Sequence, residues 1–240
     1  VNKEEIRMSA TEIRQRIYAL FAVFGVVIFF WLSFHQNGYS LTYFARDYVD
    51  LSVINIDLGF TQIKGAEIFQ SVNPFSVVFL TPFIMWLFGS LKKKGKEPST
   101  PMKIAIGMGI AALAYVFLTV FSFTLPTKEV LGTMSAAEVS AIRVTPWVMV
   151  GLYFILTVAE LFISPLGLSF VSKVAPPHLQ GLMQGCWLAA TAVGNSLLFI
   201  GGILYTTVPM WACWLVFVGA TGASMIVMLS MVKWLERVAK

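Results

Sequence analysis

Glu160 stands alone: it is the single Asp, Glu, Lys or Arg in the otherwise apolar stretch 144–172. A charged side chain at membrane depth costs on the order of 3 kcal/mol or more, so such a group faces a bundle interior or a water-filled crevice. There a carboxyl group can load and unload a proton or an amine. The alternative is a permanently protonated Glu hydrogen-bonded to a neighbouring helix. In E-L-F-I-S-P-L-G-L-S, Ser164 and Gly167 follow Glu160 at i+4 and i+7 and share its helical face. Pro165 lacks an N–H and leaves the carbonyl of Leu161 without its helical donor. Freed backbone of this kind is tolerated where protein or a wet cavity covers it.

Other polar groups interrupt apolar runs. F-H-Q-N-G-Y-S places His35, Gln36 and Asn37 in a row, and three such residues cannot all face lipid. His35 either titrates near neutral pH or is a hydrogen-bonded structural histidine. Q-S-V-N-P sets Asn73 one step before Pro74, as a helix-start hydrogen bonder or a ligand contact. In G-L-M-Q-G-C-W-L-A-A-T-A-V-G-N-S, Gly181, Gly185 and Ala189 make a smooth face for close helix packing. The same segment offers Gln184, Asn195 and Ser196 to an interior, and Trp187 as either packing or the wall of a cavity.

The composition names the scaffold that must hold these groups. Of 240 residues, 58% are hydrophobic and 12% charged, against about 25% charged in ordinary soluble domains. A single soluble globule, a disordered chain and a disulfide scaffold are all excluded by such figures. Residues 17–45, 68–91 and 104–127 hold no Asp, Glu, Lys or Arg, and neither do 174–232. A bilayer core of about 30 Å takes about 20 apolar residues per helix. The last window is long enough for two, with Y-T-T-V-P as the turn before a helix opened by Pro209. Six helices are expected, over 17–43, 67–91, 101–124, 146–173, 177–204 and 209–234. These runs are far longer than the strands of membrane barrels, about 10 residues each. The fold class is therefore an all-α membrane protein with a bundle over 17–240 and a cytoplasmic lead-in segment over 1–16, where Ile6, Ile13 and Ile17 form one stripe.

Lys and Arg fall 13 to one side of these spans and 4 to the other. The excess marks the cytoplasmic side and puts both ends there. The basic surplus is thus topological, and nucleic-acid binding is not expected. Long outer loops remain over 44–66 and 125–145, the first able to hold a short hairpin or helix. Cys186 and Cys213 lie at different depths, too far apart to bridge, and no Cys/His cluster has metal-site spacing. Phosphate-loop, H-E-x-x-H and G-x-S-x-G motifs are absent, which argues against ATP-driven pumping and hydrolysis by this chain. The start at Val1, without Met or a signal-peptide pattern, is what a piece of a longer or trimmed chain would show.

Several ordered motifs then resemble one family. F-W-L-S-F-H-Q is similar to the F-W-x-x-F-[DE]-Q of the proton-dependent oligopeptide transporters. Q-S-V-N-P-F-S-V-V-F-L-T-P, G-K-E-P-S-T-P-M-K-I-A-I-G, E-L-F-I-S-P-L-G-L-S-F-V-S-K-V-A-P and G-L-M-Q-G-C-W-L follow its pattern in order, over about 29–195. The resemblance implies one half of a major facilitator superfamily fold, specifically the C-terminal six-helix half. It also implies that Glu160 receives a peptide's N-terminal ammonium, that Asn73 and Ser164 line the site and that Trp187 walls it. Gln36 belongs to the first motif, and Lys173 sits on the cytoplasmic gate side; with His35 they are the gating or proton-coupling candidates. His35 replaces the family's Asp or Glu. An imidazole, neutral or cationic, cannot stand in for that anion, so the gate ion pair and the details of proton coupling depart from the family pattern.

The reading is a proton-coupled symporter of the inner membrane that imports di- and tripeptides by alternating access and is not an enzyme. Its expected partners are those peptides, an N-terminal six-helix half and the lipid bilayer; protons are the coupling ion and no cofactor is expected. This chain alone would not transport. The alternatives are a non-transporting membrane scaffold or subunit, and a facilitator-type carrier of another substrate.

Overall fold

The computed structural model describes residues 8–54, 56, 57, 59, 62, 63 and 65–239, with backbone alone at 56, 57, 62 and 63. Ile6 of the expected stripe, and Lys3, Arg7, Lys64 and Lys240 among the basic residues counted above, lie outside the described residues.

Helix α1 (Ala10–Phe34) begins where the Ser9 side chain accepts from the Glu12 N–H at 3.2 Å, and runs without a break through position 16. It ends earlier than the expected span. A 3-10 turn over His35–Gly38 and a short helix α2 (Ser40–Tyr48) complete the crossing. At this break Gln36 Nε2 reaches the Leu198 carbonyl at 3.4 Å, the Asn37 carbonyl accepts from the Thr42 hydroxyl at 3.0 Å, and Tyr39 takes a non-helical conformation. Beyond α2, strands β1 (Ile56–Asp57) and β2 (Gln62–Ile63) pair antiparallel, so the loop expected over 44–66 holds a hairpin. A 3-10 segment, Ala66–Ser71, leads into α3 (Val72–Lys93).

α3 stops at Gly95, whose φ of 64° belongs to the left-handed region that glycine adopts without strain. The Lys96 N–H reaches the Leu91 carbonyl at 2.9 Å, closing the end of the helix. Helix α4 (Thr100–Ser122) opens on a Ser99 cap with Pro101 inside its first turn. Two short helices, α5 (Lys128–Leu131) and α6 (Ala136–Ile142), lie in the long connection after α4. Helix α7 (Pro146–Val174) runs past Pro165 without interruption. The fifth span is divided, like the first: α8 (Gln180–Ser196) and α9 (Phe199–Thr207) flank a break at Leu197 and Leu198, where the backbone bonds tighten to i→i+3. Helix α10 (Met210–Val238) closes the bundle.

Six segments are long and apolar enough to cross a membrane, among the described residues. α4 packs between α7 and α10, α1 lies against α8 and α10, and α3 leans chiefly on α7. Glycines let the backbones approach. A Cβ on Gly107 would lie 2.7 Å from Ile163 Cγ1 and 3.0 Å from the Ala159 carbonyl, across the α4–α7 seam. One on Gly194 would lie 2.8 Å from the Ile28 carbonyl, across the α8–α1 seam. The expected smooth face is a different matter. Nothing lies within 4 Å of a Cβ built on Gly181 or Gly185, and both residues and Ala189 are exposed. Spacing identified a flat stripe but not whether another helix of this chain reaches it.

Candidate functional site

α7 presents Glu160 as the fifteenth of its 29 residues, midway along the helix. Asn73 arrives there from the first turn of α3, directly after the 3-10 segment. Its Nδ2 donates to Glu160 Oε2 at 2.8 Å and to Thr157 Oγ1 at 3.0 Å. Thr157 spends its own proton on the Tyr153 carbonyl at 2.7 Å. Among the described residues no Lys, Arg or His pairs with Glu160, which is half-buried. Oε1 accepts no hydrogen bond from the described residues, so it is the oxygen that can take a proton or an ammonium N–H.

The remaining sequence candidates are placed as follows. Ser164 is half-buried one turn beyond Glu160 on the same face and makes no hydrogen bond among the described residues. Trp187 is 2% exposed; its indole fills the space a side chain on Gly167 would need and meets Phe24 edge-on at 6.2 Å. It thereby packs α8 against α7 and α1. His35 lies at the end of α1, stacked on Trp31 with ring centroids 5.0 Å apart, its Nδ1 3.2 Å from the Trp31 carbonyl. Lys173 is exposed in the last turn of α7, about 20 Å along the helix from Glu160.

Gln36 is fully buried and joins the two broken spans. Its Nε2 donates to the Leu32 carbonyl at 3.3 Å and the Leu198 carbonyl at 3.4 Å, and its Oε1 accepts from Ser40 Oγ at 2.7 Å. Tyr153 links this turn to α7: its hydroxyl donates to the Asn37 carbonyl at 2.7 Å, about two helical turns from Glu160 toward the N-terminus of α7. The structure therefore brings Asn73 and Glu160 together, reaches the His35–Gly38 turn through Tyr153, and leaves Lys173 apart.

Sequence reasoning passed over Thr157 and Tyr153, although both share the Glu160 stripe at i−3 and i−7. It also passed over Arg16, which pairs with Glu12 at 3.0 Å and reaches the Val174 carbonyl at 3.4 Å. That contact places a cation on the C-terminal end of α7, where the helix dipole favours one. No sequence signal marked Asp47, which accepts from Lys128 Nζ at 2.5 Å and Tyr205 at 2.7 Å and so ties α2, α5 and α9. A cavity of about 690 Å3 lies between Asp50, Phe69, Arg143 and Trp147, and a second of about 490 Å3 between α1 and α10; neither includes Glu160.

A family model described as the POT family matches residues 2–215. The chain belongs to the POT family. Among curated relatives, the peptide transporter YePEPT of Yersinia enterocolitica is 30% identical over 182 residues, 76% of this chain and 32% of that protein. Dipeptide and tripeptide permease B of Salmonella typhimurium is 30% identical over 249 residues, 98% of this chain and 46% of the relative. The crystal structure of a mutant peptide transporter POT superposes with a TM-score of 0.77 at 24% identity, covering 99% of this chain and 43% of that one. That likeness is one of fold, and the fold is that of the major facilitator superfamily. This POT-family chain thus spans less than half the length of the relatives it matches. It is a multi-pass membrane protein of a transport family, not an enzyme.

Proposed function

We propose that this chain is the C-terminal half of a proton-coupled symporter that imports di- and tripeptides by alternating access across the inner membrane, with both ends cytoplasmic. The observation that carries the reading is the Asn73–Glu160 pair: an acid at mid-helix, held by an amide, with no cation paired to it and one oxygen unengaged among the described residues. A peptide ammonium satisfies that carboxylate; in its absence a proton does. Either occupant neutralises a costly charge and lets the bundle rock against its partner. Ser164 adds a second polar contact, and Trp187 supports the site from behind through Gly167. His35 and Gln36 hold the outer turn of the first span, with Gln36 positioned to transmit its movement to the break between α8 and α9. Lys173 lies at the cytoplasmic end. Family membership supports the peptide as cargo, and protons are the coupling ion in this reading.

Support for an N-terminal six-helix partner comes from the exposed side of α8. Gln184, Asn195 and Ser196 all lie on exposed positions, and the Asn195 side-chain amide makes no hydrogen bond among the described residues. An unpaired amide facing hydrocarbon is costly. A second bundle packed over this side, across the flat Gly181–Gly185 stripe, removes that cost and closes the peptide site from its open flank.

The test is uptake of labelled dialanine by proteoliposomes that carry the full transporter. Glu160→Gln is expected to abolish pH-driven accumulation. Normal accumulation by that variant removes Glu160 from the mechanism and this reading with it.

A further inference from the structure

We propose that Thr157 is a positioning residue that sets which way the Asn73 amide faces, and thereby how the site meets an ammonium group. This inference rests on the peptide-transport reading above. A primary amide offers two N–H donors on one side and an acceptor oxygen on the other. Left to Glu160 alone, the Asn73 amide has two usable orientations: its NH2 toward a carboxylate, or its oxygen toward a protonated carboxyl. Thr157 breaks the tie. Its single hydroxyl proton is committed to the Tyr153 carbonyl at 2.7 Å, so toward Asn73 it can only accept. The NH2 group must then lie between Thr157 and Glu160, at 3.0 Å and 2.8 Å, which uses both of its protons.

The chain of donors runs one way, from Asn73 through Thr157 to the Tyr153 carbonyl, with the second amide proton on Glu160. The consequence falls on the other end of the amide. Asn73 Oδ1 accepts no hydrogen bond from the described residues. It and Glu160 Oε1 are the two acceptors that this arrangement leaves unengaged among the described residues. An ammonium, with three donors, can use both; an acetylated peptide nitrogen, with one donor and no charge, cannot. Thr157 therefore contributes to the choice of a free amine without touching the substrate.

The experiment compares free dialanine with N-acetyl-dialanine as competitors of labelled uptake in the reconstituted full transporter. Thr157→Val keeps the shape of the side chain and removes the accepting oxygen. The ratio of apparent affinities for the two peptides is expected to fall about tenfold, chiefly through the free peptide's KM, with Thr157→Ser restoring it. An equal loss for both peptides, or no loss, overturns the proposal. In the same protein labelled with 15N-asparagine, the Asn73 side-chain signal is identified by its absence in Asn73→Asp. Both of its protons are expected to exchange slowly in the wild type and in Thr157→Ser, and one rapidly in Thr157→Val. Slow exchange of both in Thr157→Val also overturns the proposal. If the wild type takes up no peptide, the transport reading fails and the exchange measurement alone decides on Thr157.

Discussion

Asn73 and Glu160, 87 positions apart in sequence, meet at 2.8 Å because the first turn of one helix abuts the midpoint of another. The acid is thus held by a neutral donor and not by a cation. A lysine or arginine in that place would compete with an incoming amine; an amide assists the carboxylate and leaves its charge to be matched by the cargo.

Replacing Asn73 with Ala removes the hydrogen bond that holds Glu160 in place. Bonds to charged groups contribute about 1.5–3 kcal/mol, so the apparent affinity for dialanine in competition uptake is expected to weaken about tenfold or more. An unchanged affinity would show that Glu160 needs no such support.

Gly167 and Trp187 compete for one volume. Gly167→Ala drives a methyl into the indole, and overpacking of this kind costs about 1–3 kcal/mol. The thermal unfolding midpoint in detergent is expected to drop, and Trp187→Leu in the Gly167→Ala background to lose less than the sum of the two single changes. Strict additivity would mean that the indole moves aside without cost.

Gly201 bears the same relation to Gln36, whose side chain fills the place of its missing Cβ. Gly201→Ala is expected to destabilise the protein, whereas Gly25→Ala, where nothing lies within 4 Å, should be neutral or stabilising by up to about 1 kcal/mol from helix propensity. Thermal midpoints for the two variants, measured side by side, check both signs.

At the turn between α3 and α4, Glu97 accepts from Lys103 Nζ at 2.5 Å, and that bond holds its carboxyl below the ordinary value of 4.5. A lowered folded-state value means that the pair contributes stability above pH 4.5, and that the contribution is lost as pH falls through the lower folded value. Thermal midpoints of wild type and Glu97→Gln are therefore expected to differ near neutral pH and to converge in acid. A constant difference across that range would place the effect of the substitution elsewhere.

Most of the architecture was written in the sequence. Charge-free windows long enough for a bilayer fix six spans, since the cost of exposing backbone or charge to hydrocarbon leaves few alternatives to long helices. Glu160 announced itself for the same reason, as a costly exception in an apolar run, and the ordered motifs pointed to the family. Two kinds of information were not accessible along the chain. One was where a span breaks: Gln36, in the turn at His35–Gly38, meets the Leu198 carbonyl at the other break, a bond between residues 162 positions apart. The other was partnership. The sequence placed Gly181 on a smooth packing face and Gly167 on the Glu160 face, yet nothing lies within 4 Å of a Cβ on the first and a tryptophan ring fills the place of one on the second. Periodicity reports the face of a helix on which a residue lies; only the packed bundle decides what stands opposite. The tertiary structure alone therefore paired Glu160 with Asn73, tied Asn73 to Thr157 as well, and set Trp187 against Gly167 and Phe24.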